Sequence, residues 1–229
     1  MKKVRWLRGA LGVVAVSAAM LSYSWLCLPD VRALQKQNPQ STAFMELRAR
    51  EAADEGKPWR PAWRWTSYSR ISPALKRAVI VSEDAAFWGH DGVDLDELRV
   101  SIEDSVRRGV APRGASTITQ QLAKNLYLSP SYSPQRKLVE LMIARRLEAE
   151  LSKVRIFELY LNVIEWGDGV WGAEAAAHRY FGKSAADLTL EEAALLAGAI
   201  INPRIYSPAR PNARLLRRQQ IILERLKLS

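Results

Sequence analysis

One cysteine, Cys27, and two histidines, His90 and His178, are all that this 229-residue chain offers in those residue types. A lone thiol excludes an internal disulfide or a cysteine metal cluster, so the fold has to stand on packing. The two histidines have no metal-ligand spacing between them, which argues against a zinc site. Internal repeats and low-complexity tracts are also missing, which excludes a solenoid and a tail-like polypeptide. Acidic residues are fewer than basic ones, 24 against 34, for a net charge of +10. Lys2, Lys3, Arg5 and Arg8 supply four of those charges, and the remainder is basic without being extreme. Such a surface suits anionic lipid, a phosphorylated substrate or nucleic acid, and charge alone does not choose among them. With 48% hydrophobic and 25% charged residues, the composition is that of a folded chain.

Residues 9–28 contain no charged side chain. As a helix that run is about 30 Å long and matches a bilayer core. Four cations precede it, whereas Asp30 and Arg32 follow it, so the amino terminus is expected in the cytoplasm and the rest outside. A cleaved signal peptide ending near Ser22-Tyr-Ser24 is the alternative, but the apolar run continues through Trp25, Leu26 and Leu28. Trp25 and Leu26 are unlike the small residues of a lipoprotein cleavage site, which leaves Cys27 as an inert thiol. The chain divides into a tail (1–8), a transmembrane anchor (9–28), a membrane-proximal connecting segment (29–71) and a main domain (72–229).

The main domain reads as mainly α. Apolar spacing and cap residues predict helices over 74–83, 94–108, 116–126, 133–151, 155–163, 173–180, 189–200 and 212–228, with a shorter one opening at Ser41 and closed by Gly56 and Pro58. Ser116 is the expected cap of the third, and Thr189-Leu-Glu-Glu192 is a capping box. Asp94 can cap the second of these helices, in which Leu95, Leu98, Ile102 and Val106 are spaced at three to four residues. Residues 58–68 mix Trp59, Trp63, Trp65 and Tyr68 with arginines. They suit a headgroup-level belt or a strand packed on the domain.

Two blocks concentrate the chemistry. In Val81-Ser-Glu-Asp-Ala-Ala-Phe-Trp-Gly-His90-Asp-Gly92, Glu83 is flanked by Val81, Phe87 and Trp88. Desolvation there would raise its proton affinity toward that of a general base, while a surface Glu at a helix end is the plain alternative. His90 fits a structural hydrogen-bonding partner better than a catalyst. The second block, Arg113-Gly-Ala-Ser-Thr-Ile-Thr-Gln-Gln121, is followed by Lys124 and Asn125, with Ser116, Gln120 and Lys124 on one helical face. A helix start with a hydroxyl and a Lys suits an anionic phosphate; a capped polar helix is the alternative. Further on, Arg136, Lys137 and Glu140 share one face, as an ordinary ion pair or as the wall of a cleft.

Taken in order, Glu83-Asp-x-x-Phe87-x-x-His90-x-Gly92, Gly114-Ala-Ser-Thr-Ile-Thr-Gln-Gln121, Arg136-Lys-x-x-Glu140, Glu158-Leu-Tyr-Leu-Asn162, Tyr180-Phe-Gly-Lys183 and 217–226 resemble the monofunctional biosynthetic peptidoglycan glycosyltransferases. These are glycosyltransferase family 51, stand-alone relatives of the glycosyltransferase domain of class A penicillin-binding proteins. The resemblance implies a lysozyme-like helical head with a smaller membrane-facing jaw, polymerising lipid II outside the bacterial inner membrane with release of undecaprenyl diphosphate. It implies Glu83 and Glu140 as the catalytic carboxylates and Ser116, Thr117, Gln120, Gln121, Lys124, Asn125, Arg136 and Lys137 as substrate-binding groups. Asp84, Phe87 and His90 would be positioning residues. Glu83 would deprotonate the acceptor 4-hydroxyl. A diphosphate leaves as an anion, so Glu140 need not donate a proton; orienting Arg136 or Lys137, or helping hold a divalent cation, is the expected role.

No tightly bound cofactor is implied, with magnesium or manganese the optional ions. Expected partners are lipid II, the growing glycan strand, membrane lipid and other cell-wall synthesis or division proteins, but not nucleic acid. Without a Ser-x-x-Lys element no transpeptidase is expected. Ala115 replaces a frequent glycine, a mild departure, and Tyr132 stands where relatives often carry a basic residue of the phosphate site. The competing readings are a lysozyme-like peptidoglycan hydrolase and a non-catalytic membrane scaffold.

Overall fold

A computed structural model describes residues 28–110, 116–131 and 133–228. Helices start where the sequence supplies an oxygen for the orphan N–H groups of the first turn. Thr42 caps α1 (Ala43–Asp54), Ser72 caps α2 (Pro73–Glu83) and Asp94 caps α3 (Leu95–Arg108). Thr117 caps α4 (Ile118–Tyr127), Ser133 caps α5 (Pro134–Glu150) and Ser152 caps α6 (Lys153–Val163). After α7 (Ala173–Phe181) comes α8 (Leu190–Ala199), opened by the expected Thr189/Glu192 capping box, and then α9 (Ala213–Leu228). Two caps differ by one residue from the sequence reading, Thr42 replacing Ser41 and Thr117 replacing Ser116. The second shift has a physical reason given below.

The core is built around two buried helices. Small residues along α8, Ala193, Ala194 and Ala197 among them, are fully buried and let α2 and α9 pack against it. Helix α4 buries Ile118, Leu122, Ala123 and Leu126 and lies against α5 and α6. The polar side chains of α4 are therefore held by a helix that is fixed on two sides.

Three short strands complete the described residues. β2 (Glu165–Gly167) and β3 (Val170–Trp171) form an antiparallel hairpin, and β1 (Ala62–Trp63) pairs parallel to β3, giving the order β1-β3-β2. The turn between β2 and β3 is Asp168-Gly169, with Gly169 in the left-handed region, a dipeptide suited to tight hairpins. Of the two readings of 58–68, the packed strand holds: the Trp63 indole donates to the Asn162 carbonyl (2.8 Å). Asn162 itself is fully buried; its amide donates to the Thr66 carbonyl (2.9 Å) and its oxygen accepts from the Thr66 N–H (2.9 Å).

The expected helix forms as α3 with Asp94 as its cap, and its apolar face is largely exposed. Leu95, Ile102 and Val106 are exposed, together with Val100 and Val110, and Ser101 is the buried residue of the helix. Helical spacing identified an apolar face but not what covers it. The anchor expected at 9–28 lies, up to residue 27, outside the described residues. Among the described residues no helix is long and apolar enough to cross a membrane.

Asn162→Ala should leave both polar groups of the Thr66 peptide unit without partners in a buried site. It should cost roughly 2–4 kcal/mol of stability, read as a lower urea midpoint.

Candidate active site

Glu83 is the last residue of α2 and Asp84 its cap, so the end of this helix fixes where both carboxylates point. Asp84 is buried and turns toward α4, accepting from the Ile118 N–H (2.9 Å). It also accepts from His90 Nε2 (2.9 Å). Because His90 Nδ1 accepts from the Gly92 N–H (3.1 Å), Nε2 is the nitrogen that carries the proton. The Gly92 carbonyl in turn accepts from the Thr117 hydroxyl (2.7 Å) and the Gln120 amide (3.3 Å). Gly92 has φ +83°, and a Cβ there would press on Glu148 Cγ, so the turn requires glycine. Phe87 is fully buried against Phe157 and beneath the Lys153 ammonium. Asp84 thus binds the first sequence block to the second, His90 holds Asp84 and the Gly92 turn together, and Phe87 anchors the segment to α6.

Glu83 keeps some contact with solvent. Its carboxylate accepts from the Gln121 amide (3.0 Å), and the Gln121 oxygen accepts from the Tyr160 hydroxyl (2.9 Å). Burial pushes the Glu83 carboxyl above the ordinary carboxylate range; the Gln121 hydrogen bond and the charge of Arg218 pull partly against it. It opens onto a cleft of about 390 Å³ whose wall includes Asp94, Ser116, Thr117 and Arg225.

A cationic cluster on α5 meets the start of α4. Glu140, 3% exposed, is clamped by Arg136 on one oxygen (2.6 Å) and Lys137 on the other (2.5 Å). The Lys137 ammonium also donates to Ser116 Oγ (3.1 Å) and Gln120 Oε1 (3.0 Å). This explains the shifted cap: Thr117 serves the helix start, which leaves the Ser116 hydroxyl for Lys137. Lys124 stands between the two regions, feeling Glu140, Arg136 and Lys137 as well as Glu83, and burial lowers its pKa. Arg136 Nε is buried without a partner among the described residues.

A divalent cation does not fit Glu140, since each of its oxygens already faces a cation. The tightest His and carboxylate group among the described residues is Asp84, His90 and Asp94. There both ring nitrogens of His90 and the Asp84 carboxylate are committed to the hydrogen bonds above.

Residues 56–227 match the Transglycosylase family model. A biosynthetic peptidoglycan transglycosylase of Laribacter hongkongensis is 43% identical over 223 residues, 97% of each chain. Its namesake in Herminiimonas arsenicoxydans is 50% identical over 189 residues, 82% of each chain. Another, of Methylobacillus flagellatus, is 43% identical over 226 residues, covering 99% of this chain and 97% of the relative.

The chain belongs to the transglycosylase family. For this transglycosylase the geometry brings together Glu83, Gln121 and Lys124 on one side and Ser116, Gln120, Arg136, Lys137 and Glu140 on the other. Thr117 and Gln120 hold the Gly92 turn, and buried Asn125 donates back to the Gln121 carbonyl (2.8 Å), so these groups serve the scaffold of the site. Arg113, Gly114, Ala115 and Tyr132 lie outside the described residues. Sequence reasoning missed Tyr160, Arg218 and Arg225. For Tyr160 a signal existed, because a tyrosine inside an apolar helix needs a partner for its hydroxyl.

Thr117→Val should cost about 1–2 kcal/mol in denaturant unfolding, through the lost cap, whereas Ser116→Ala should stay within about 0.5 kcal/mol. A folded-state carboxyl pKa raised by burial means that the Glu83 charge opposes folding, with stability lost as pH rises from the ordinary Glu range through the raised value. Glu83→Gln should therefore melt with wild type near pH 4 and above it near pH 8, by thermal denaturation at both values.

Proposed function

We propose that this protein polymerises lipid II into β-1,4-linked glycan strands with release of undecaprenyl diphosphate, as a glycosyltransferase of peptidoglycan synthesis in the cell envelope. The observation that carries the mechanism is the pair of groups that α4 touches: the Glu83 carboxylate held by Gln121, and the cations around a buried, doubly ion-paired Glu140 held through Gln120. In this reading Glu83 takes the proton of the acceptor sugar's 4-hydroxyl as that oxygen attacks C1 of the donor sugar. The C1–O bond to the diphosphate breaks, and the electron pair leaves with the diphosphate oxygen. Lys124, Arg136, Lys137 and the Ser116 hydroxyl stabilise that anion, and the buried Arg136 Nε is a further donor in the same cluster.

Glu140 is the counter-charge that keeps Arg136 and Lys137 ordered. Both Glu140 oxygens are occupied by cations, and a diphosphate leaving group needs no proton, which together disfavour a second-carboxylate role of the glycosidase kind. The head and jaw of the fold enter here as well. We read α3, with its exposed Leu95, Val100, Ile102 and Val106, as the membrane-facing jaw and the remaining helices as a lysozyme-like head. Residues 9–28 are proposed as a single-pass anchor in the inner membrane, with the amino terminus in the cytoplasm and the 72–229 domain in the periplasm.

The test is polymerisation of labelled lipid II by the full-length protein in detergent. Wild type should yield polymer and Glu83→Gln should lose about 10³-fold or more in rate. A folded wild type that makes no polymer, or that instead digests glycan strands, contradicts the proposal. Glu140→Gln should lower kcat by about 10²-fold with a smaller change in KM and a retained cooperative melt. Wild-type turnover in that variant would remove Glu140 from the mechanism.

A further inference from the structure

Tyr160, on α6, is fully buried in the apolar core. We propose that it is a positioning residue for the base: its hydroxyl fixes the orientation of the Gln121 amide, and through that amide holds Glu83 in its ionised, correctly aimed form. The proposal rests on the reading of Glu83 as the base.

The geometry is directional. The Tyr160 hydroxyl is 2.9 Å from Gln121 Oε1, and Gln121 Nε2 is 3.0 Å from Glu83 Oε2. A primary amide presents an acceptor on one side and donors on the other, and only one of its two orientations suits an anion. Tyr160 makes that choice. It is fully buried, and burial holds the phenol pKa well above its ordinary value, so the group is neutral and a donor throughout the working range. Its hydrogen-bond acceptor among the described residues is Gln121 Oε1. Flipping the amide would leave the phenol proton without an acceptor and set Gln121 Oε1 against the Glu83 carboxylate, two penalties in a poorly solvated place.

Other charges around Glu83 act without that directionality. Asp84 beside it repels the carboxylate charge, Arg218 from α9 and Lys124 from α4 attract it, and Arg225 of α9 lines the same cleft. Ser82 on its own helix donates to the Val79 carbonyl (3.2 Å) and carries no charge. From α6 the group that faces Glu83 is the neutral Tyr160 itself. The Gln121 amide is thus the contact whose sign depends on a buried partner, and Tyr160 supplies it.

The sign of the effect is fixed. Donation to a carboxylate stabilises the charged form, so removing it raises the Glu83 pKa and moves the acidic limb of the pH–rate profile upward. The experiment uses the full-length protein as wild type, Tyr160→Phe, Gln121→Leu and the double variant. Two readouts are taken: the pH dependence of lipid II polymerisation, and titration of the Glu83 carboxyl by ¹³C NMR, assigned by difference from Glu83→Gln.

Each single variant should shift both the limb and the carboxyl titration upward by about half a pH unit or more, with a cooperative melt retained. The double variant should shift no further than Gln121→Leu alone, because Tyr160 acts through Gln121. An unmoved titration in folded Tyr160→Phe, or shifts that add in the double variant, overturns the proposal. The NMR titration needs no substrate, so a wild type that fails to polymerise counts against the proposed function and leaves the positioning result to be read separately.

Discussion

Everything at this site follows from keeping a carboxylate charged where its surroundings disfavour charge. Burial raises the proton affinity of Glu83, which suits it to take a proton, but the same burial penalises the ionised form that has to do the taking. A fixed donor resolves the conflict better than a mobile cation, because it aims the charge as well as stabilising it. Gln121 is that donor, and its helix is held on both sides by the packing of Ile118, Leu122, Ala123 and Leu126.

Helix α4 also explains why the two halves of the site keep register. One turn presents Gln121 to Glu83 and the flanking positions present Gln120 and Lys124 to the cationic cluster. The start of the helix is tied to the end of α2 through Asp84 and Ile118 and to the Gly92 turn through Thr117. Displacing this helix would move Gln121, the donor to Glu83, together with Gln120 and Lys124, so the contacts to both halves of the site are set by one rigid element. Glu140 has the complementary task on α5: two cations placed together repel, and a buried carboxylate between them lets both stay.

The helices were legible because their caps and apolar spacing are local signals. Asp94, Ser133 and Thr189 are read from neighbours within four positions, and each stands where such a cap is needed. What sequence could not supply is the choice between adjacent oxygens: Ser116 and Thr117 are equivalent caps until Lys137, from another helix, claims one hydroxyl. The hairpin at β2 and β3 went unread although Asp168-Gly169 marks it, since strands of two or three residues carry almost no periodicity. In the same way α3 has a clear apolar face, but spacing is silent on what that face meets. Glu83, Glu140, Lys124, Arg136 and Lys137 were found through ordered motifs, whereas Tyr160 reaches the site only through a contact across thirty-nine positions.

In the proposed mechanism the cations around Glu140 seat the departing diphosphate and Glu83 meets the acceptor hydroxyl. A crystal structure with a short-chain polyprenyl diphosphate tests this most directly. The diphosphate should lie among Lys124, Arg136, Lys137 and Ser116, with Glu140 still paired to both cations and the Glu83 carboxylate free to meet an acceptor. A diphosphate bound elsewhere, or a Glu140 released from Arg136 and Lys137 to coordinate a metal ion, would contradict it.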